Sequence, residues 1–346
     1  MSETTADNAA PKRDESEIYD RQIRLWGSEV QKNMSKTKVL YIHVTGVSSE
    51  VLKNLVLAGI RATICDNRTY PEAVMDTPSF FLSAQDRIAC TADTEPAAKK
   101  AKHGTVAEAV QTGVEELNPL LGACDIVSTP VSELTAEFLS QFSIVVASRI
   151  SMSNAIRISK ATTAAGGKFY MADCFGLFGA SAFDLGENHT YRAEKGKELM
   201  DPKILEPYVD LETVLKVALA DATNRFHKTP PPAWIRYRSI LEYVEQTKSW
   251  PSEENAKDFV KVVRGWIQEN SPSLLENELL SESALEDLAK VSTSEVAPVC
   301  AVLGGIIGNE VIKAISVKGE PANNTLLFDG LSSKLWTFLV KPKETK

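Results

Sequence analysis

The sequence predicts an α/β fold: a doubly wound, mostly parallel sheet with an antiparallel extension and an inserted helical subdomain. Three observations carry that prediction. Lys38 to Asp66 has the pattern of a strand–helix–strand unit. Short β-rich apolar runs then alternate with helical runs as far as Cys174. Residues 193 to 291 switch to helix and loop composition before a closing helix and two strands. With 346 residues, 43% hydrophobic and 24% charged, the chain is long and apolar enough for a substantial core in one large or two ordinary domains.

Residues 1–16 are polar and lack an apolar stretch, which predicts a disordered tail and not a signal peptide. From Glu17 to Met34 apolar residues mix with charges at helical spacing, with Gly27 as a break. Val39, Leu40, Tyr41, Ile42 and Val44 predict a buried strand. A turn follows at Thr45 and Gly46, with Ser48 placed to cap a helix whose apolar face is Val51, Leu52, Leu55 and Val56. Gly59 ends that helix, and Ala62, Ile64 and Cys65 form a second strand with Asp66 at its carboxyl end. The unit is of the Rossmann-like, nucleotide-binding kind, with its acid about 20 positions after the turn.

Beyond Asp66, Pro71 and Pro78 mark a loop, and Phe80, Phe81 and Leu82 are expected to anchor it. A helix is predicted over Ala97 to Leu117, stopped by Asn118-Pro119; the lysines of its AAKKAKH segment read as a solvated face. Strands are predicted over Cys124 to Val131, Ile144 to Ala147 and Lys168 to Cys174. Helices are predicted over Leu134 to Phe142 and Ser151 to Ala165. After Phe175 two or three glycine-separated strand-like pieces predict the antiparallel extension. These boundaries give a first part over 17–192, the insert over 193–291 and a second part over 292–346. The closing helix, within 292–316, is apolar on nearly all faces and should be buried. Its Gly304, Gly305 and Gly308 imply very close packing by a sheet or by another subunit's helix, and Cys300 reads as a packing residue. Two strands, 324–331 and 334–340, finish the chain.

The composition also excludes. Net charge is −8 with no basic stripe, which argues against nucleic acid as a partner. The longest uncharged apolar run, Ala297 to Gly308, is too short for a bilayer, so no membrane partner is expected. Cysteines at 65, 90, 124, 174 and 300 form no CxxC pair and suit reduced thiols of the cytosol or nucleus. Histidines at 43, 103, 189 and 227 form no ligand pair, so no metal site is expected.

Two places hold candidate function. The turn His43-Val44-Thr45-Gly46-Val47-Ser48 keeps a single glycine, where close approach of phosphate to backbone N–H groups asks for several. Gly46 and Asp66 therefore mark either a variant nucleotide site or a lost one. The second place is Asp20, Arg21 and Arg24, set among large apolar residues. It is either a solvated face whose stems pack on the domain or something functional.

Two stretches decide between these options by resemblance. YDRQIRLWG (Tyr19 to Gly27) and SEVAPVCAVLGGIIGNEVIKAI (Ser294 to Ile315), followed by NNTLLFDGL, resemble the activating enzymes of ubiquitin-like proteins, which share a fold with bacterial sulfur-carrier adenylating proteins. Length, the one-glycine turn and the missing cysteine domain make the chain similar to the smaller, non-catalytic subunits of SUMO-activating heterodimers. The active half in that family carries a glycine-rich turn, an Asn/Arg pair, a lysine, a magnesium-binding aspartate, a zinc motif and a catalytic cysteine. Here the Asn/Arg loop reads Met75-Asp76-Thr77-Pro78-Ser79-Phe80, and the strand end that should give the aspartate reads Ala147-Ser148-Arg149-Ile150.

The resemblance implies a chain that binds no cofactor itself, with ATP and magnesium in its partner. It implies an obligate catalytic partner subunit, SUMO as modifier and a SUMO-conjugating enzyme reached through the complex. It also implies nuclear residence with some in the cytoplasm. Arg21 matches the family arginine that reaches across the dimer to the partner's ATP phosphates, and Arg24 is a weaker candidate. Two alternatives stand beside this: the corresponding half for another ubiquitin-like modifier, and an independent adenylating or NAD-binding enzyme.

Overall fold

Side-chain alternation along the first strand sets the layering of the molecule. The computed structural model describes residues 15–69, 79–82, 104–196, 198–223 and 228–343. A helical turn leads into α1 (Asp20–Trp26) and α2 (Ser28–Lys36), which Gly27 separates at φ +91°, a conformation that favours glycine. The first unit is β1 (Lys38–Ile42), α3 (Gly46–Leu57) and β2 (Arg61–Cys65). Next come α4 (Val106–Leu117), β3 (Asp125–Val127), α5 (Ala136–Leu139), β4 (Ile144–Ala147) and α6 (Met152–Ala164). A hairpin of β5 (Lys168–Phe175) and β6 (Phe178–Asp184) follows. Two small two-stranded ribbons come next, one pairing Thr190–Tyr191 with Lys203–Ile204 and so joining the first part to the insert; the insert then contributes α7 (Leu211–Lys216), α8 (Pro232–Thr247), α9 (Ala256–Asn270) and α10 (Glu282–Val291). The chain closes with α11 (Ala297–Ser316), β7 (Thr325–Asp329) and β8 (Lys334–Thr337).

The main sheet has eight strands in the order β8-β7-β6-β5-β4-β1-β2-β3. Pairing is parallel from β5 through β4, β1 and β2 to β3, and antiparallel from β5 through β6 and β7 to β8. The strand order therefore reverses between β1 and β4, and a crevice opens outside their carboxyl ends, where such sheets hold ligands. Along β1, Leu40 and Ile42 enter a core shared with α6 and the insert helices, including Trp234, Tyr237 and Phe259. Val39 and Tyr41 enter the opposite core, built with Val51 and Leu55 of α3 and Leu303 and Ile307 of α11. Both faces are covered, as a parallel sheet requires.

Several elements differ from expectation. The cap of α3 is Thr45, which receives the Ser48 N–H, while Ser48 returns a bond to the Thr45 N–H; together they form a capping box, so the helix begins two residues before Ser48. The strand predicted over Cys124 to Val131 is only Asp125–Val127, because Pro130 opens a 3-10 turn at Val131–Glu133. The helix predicted from Leu134 shrinks to Ala136–Leu139, capped by Thr135. The helix ending at Leu117 starts at Val106 with Thr105 as cap. Of the loop anchors, Leu82 is buried but Phe80 is 53% exposed. Residues 1–14 of the expected tail, the 75–78 part of the loop and the 97–103 lysine segment lie outside the described residues.

Helix α11 corrects two expectations. At 20 residues it is long and apolar enough to cross a membrane, yet half of it is buried inside this fold. It is not buried all round: Ala297, Pro298, Ala301, Val302 and Asn309 are exposed, and Gly305, Ile306 and Ile312 are partly so. The close neighbour of Gly304 is the chain's own α3. A Cβ there would stand 2.5 Å from Glu50 Cβ and 2.9 Å from the Val47 carbonyl oxygen. Gly305 has room, its nearest neighbour being Asn54 Nδ2 at 3.9 Å.

Candidate functional site

The crevice at the β1/β4 switch point is filled by the chain's own polar groups. Helix α3 points its N-terminus into it, and the free N–H groups of a first turn favour an anion. That anion is Glu295, from the segment entering α11. The Gly46 N–H donates to its Oε2 at 2.7 Å and the Val47 N–H to its Oε1 at 3.3 Å. The glycine is needed for this fit, since a Cβ on Gly46 would lie 2.8 Å from Cys300 Sγ and 3.1 Å from Glu295 Oε2. Burial pushes the Glu295 carboxyl up; the Arg149 charge and the two N–H groups oppose this without cancelling it.

Asp66 is equally engaged. It has no solvent exposure, accepts the Val44 N–H at 2.7 Å, and is gripped by Arg68 through Nε at 2.9 Å and Nη2 at 2.7 Å. Burial raises this carboxyl, but the Arg68 bonds and charge, the His43 ring and the Val44 N–H outweigh it and hold it below the usual carboxylate range. The ribose position of the unit is thus closed by a fork two residues away in sequence. His43 sits beside it at φ +61°, with Nδ1 3.1 Å from the Ser148 carbonyl oxygen.

The end of β4 completes the network. Thr45 Oγ1 donates to Ser148 Oγ at 2.8 Å, and Ser148 donates to Asp173 Oδ1 at 2.9 Å. The Arg149 N–H and the Tyr237 hydroxyl also reach Asp173, at 2.7 and 2.8 Å. The Arg149 backbone is left-handed at φ +54°. Its guanidinium donates to the carbonyls of Ser292, Cys174 and Thr293 at 3.0, 3.0 and 2.9 Å and lies 5.0 Å from the Trp250 ring centre. Arg149 thereby ties the strand end to the insert and to the approach of α11.

These residues do not fit a nucleoside triphosphate. A carboxyl stands on the helix N-terminus where phosphate would go, the ribose acid is committed to Arg68, and a guanidinium follows the strand that should carry a metal-binding acid. For a metal, the described residues offer one cluster, Cys174, Cys300 and Glu295, with ligand atoms within 4.8 Å of one another. The Cys174 thiol is pushed well up, first by its hydrogen bond with Cys300 and then by burial. Cys174 and Cys300 are buried and Glu295 is partly so.

Arg21 lies elsewhere, on the exposed side of α1. The segment beneath it is pinned: Tyr19 is buried and its hydroxyl accepts Asn118 Nδ2 at 2.8 Å, and Lys318 Nζ reaches the Trp26 carbonyl at 2.8 Å. Arg24 is occupied by Asp20 at 2.9 Å. Arg21 makes no hydrogen bond or ion pair with any described residue. Beside it Leu25 is 77% exposed.

The chain resembles known proteins along nearly its whole length. It is 30% identical to SUMO-activating enzyme subunit 1B-1 of Arabidopsis thaliana over 328 residues, covering 92% of this chain and 94% of the relative. The chain belongs to the SUMO-activating enzyme subunit 1 family. Identity is 29% over 356 residues to SUMO-activating enzyme subunit 1 of Xenopus tropicalis, covering 94% and 96%, and 25% over 322 residues to that of Dictyostelium discoideum, covering 92% and 91%. No family model matches the chain. As a member of the subunit 1 family, the protein has its role in SUMO activation.

Gly46 and Asp66 fall together at the crevice, as their motif implies, and Arg21 is remote from both. Sequence analysis missed Glu295, Arg68 and Tyr237, and gave Arg149 no role. No spacing rule links Glu295 to a turn 249 positions earlier. Arg68 had a weak signal, being a base two positions after a buried acid.

Proposed function

We propose that this chain is the non-catalytic half of a heterodimeric SUMO-activating enzyme. The partner subunit holds ATP and magnesium, adenylates the C-terminal carboxylate of SUMO with release of pyrophosphate, and carries the thiol that then takes the modifier before it passes to a conjugating enzyme. This chain supplies Arg21 to the partner's phosphates and a docking face that includes α11.

What supports this role above all is the Glu295 carboxyl on the Gly46 and Val47 N–H groups, which leaves no socket for a phosphate of the chain's own. Two further observations agree with it. Arg21 is an exposed guanidinium with no partner among the described residues, on an anchored helix, suited to forked contact with phosphate oxygens. The exposed apolar side of α11, with Val302 at 42% exposure, is a surface that protein contact would cover. Supplied in trans, the arginine makes ATP chemistry depend on assembly.

The test is Arg21→Ala in the assembled complex. Heterodimer formation should be intact and ATP–pyrophosphate exchange slower by roughly a hundredfold. Wild-type exchange by that complex removes Arg21 from the mechanism. Tight binding of ATP or NAD to the isolated chain by calorimetry would instead favour an independent enzyme.

A further inference from the structure

Helix α1 is held in place with little help from packing. It has seven residues, Asp20–Trp26, and none of them is buried. A helix that short is marginal in water on its own, so its position rests on the bonds it makes to the rest of the chain. Two of these are neutral and long. Gln22 Nε2 donates to the Leu57 carbonyl at 3.3 Å, and Trp26 Nε1 donates to Gln31 Oε1 at 3.3 Å. A third is short and charged: Lys318 Nζ donates to the Trp26 carbonyl at 2.8 Å. The last carbonyls of a helix have no partner within it, and a cation is what they favour.

Lys318 comes to that carbonyl from a rigid base. It follows the end of α11, where Val317 takes the left-handed conformation at φ +58°. That conformation is costly for a β-branched residue and persists where the surroundings impose it. Here they do. The Val317 N–H donates to the Lys313 carbonyl at 2.8 Å, and the Arg192 N–H donates to the Val317 carbonyl at 2.8 Å. The Gly319 N–H returns to the Arg192 carbonyl at 2.9 Å. The turn is clamped on both sides of Lys318, and the ammonium it carries ends at α1.

Resting on the role of Arg21 in the partner's site, we infer that Lys318 is a positioning residue for Arg21. It couples the carbonyl end of α1 to the end of α11, so the helix with the docking face also fixes where the arginine stands. A partner seated on α11 thereby meets Arg21 in register. A misplacement of about 1 Å can cost a hundredfold in rate, so loss of this tie should be visible in the chemistry.

Lys318→Met keeps the stem and removes the donor. In the assembled heterodimer, ATP–pyrophosphate exchange should fall about tenfold, as for one lost charge-assisted hydrogen bond, with assembly intact. Lys318→Arg, which keeps a charged donor, should retain most of the rate. In an Arg21→Ala background Lys318→Met should have no further effect, because it acts through Arg21. On the isolated chain, hydrogen exchange of the α1 amides should quicken about tenfold in Lys318→Met while the α11 amides keep their protection. An undiminished rate in Lys318→Met, an equal further loss in the Arg21→Ala background, or unchanged amide exchange in α1 each overturn the inference. So does lost protection in α11, which would make Lys318 a general prop. A wild-type rate in Arg21→Ala alone overturns the trans role itself and this coupling with it, so the two failures are told apart.

Discussion

Arg149 and Arg21 make the clearest contrast in the molecule. Arg149 donates to three carbonyls, lies on Trp250 and is sealed into the crevice. Arg21 projects from α1 with no partner among the described residues, on a helix held from beneath by Tyr19 and Trp26. One guanidinium holds the chain together, and the other is held out by the chain. A buried cation is structural when every donor has an acceptor, and an exposed one on a rigid support is available to something outside.

This contrast can be broken by experiment. Arg149→Ala should destabilise the isolated chain by about 3–5 kcal/mol in denaturant titration, since it strands buried acceptors and acids. Arg21→Ala should change that stability by less than about 0.5 kcal/mol. Equal effects would erase the distinction.

Glu295 comes next. Glu295→Ala leaves the Gly46 and Val47 N–H groups without their acceptor, at about 1–3 kcal/mol by the same titration. Glu295→Gln keeps an acceptor and removes a group whose folded pKa is raised. Such a carboxyl stabilises the fold when protonated, and its contribution falls as pH climbs from the ordinary carboxylate value through its raised folded value. The glutamine variant should therefore lose that slope from its stability–pH profile. An unchanged profile would show that Glu295 does not titrate there.

The two sides of α11 give a further contrast. Gly304→Ala drives a Cβ into the α3 backbone and should cost about 1–3 kcal/mol. Gly305→Ala meets open space and should stabilise the isolated chain by about 0.5–1 kcal/mol through helix propensity. If Gly305→Ala also weakens assembly with a partner subunit, the exposed side of α11 is the docking face.

The fold was legible because its signals are local. Val39 to Val44, the α3 stripe and Ile144 to Ala147 carry their own periodicity, and the change at Phe175 did mark the switch to antiparallel pairing. Short elements were overdrawn where a proline or threonine redirected the chain, as at Pro130 and Thr135. The site was half legible. The turn with only Gly46 marked the place of the crevice, and Asp66 its neighbour. What fills the space, Glu295 and Arg149, depends on tertiary contacts between segments far apart in sequence, and no periodicity encodes those.

The position of Glu295 makes one carboxyl serve two helices. It receives the first N–H groups of α3 and also fixes the chain two residues before α11 begins. Replacing it would therefore loosen the entry to α11 as well as uncap α3, while adding glycines to the turn would leave the carboxyl where it stands. The two helix starts are joined through a single side chain, and neither can be altered there without the other.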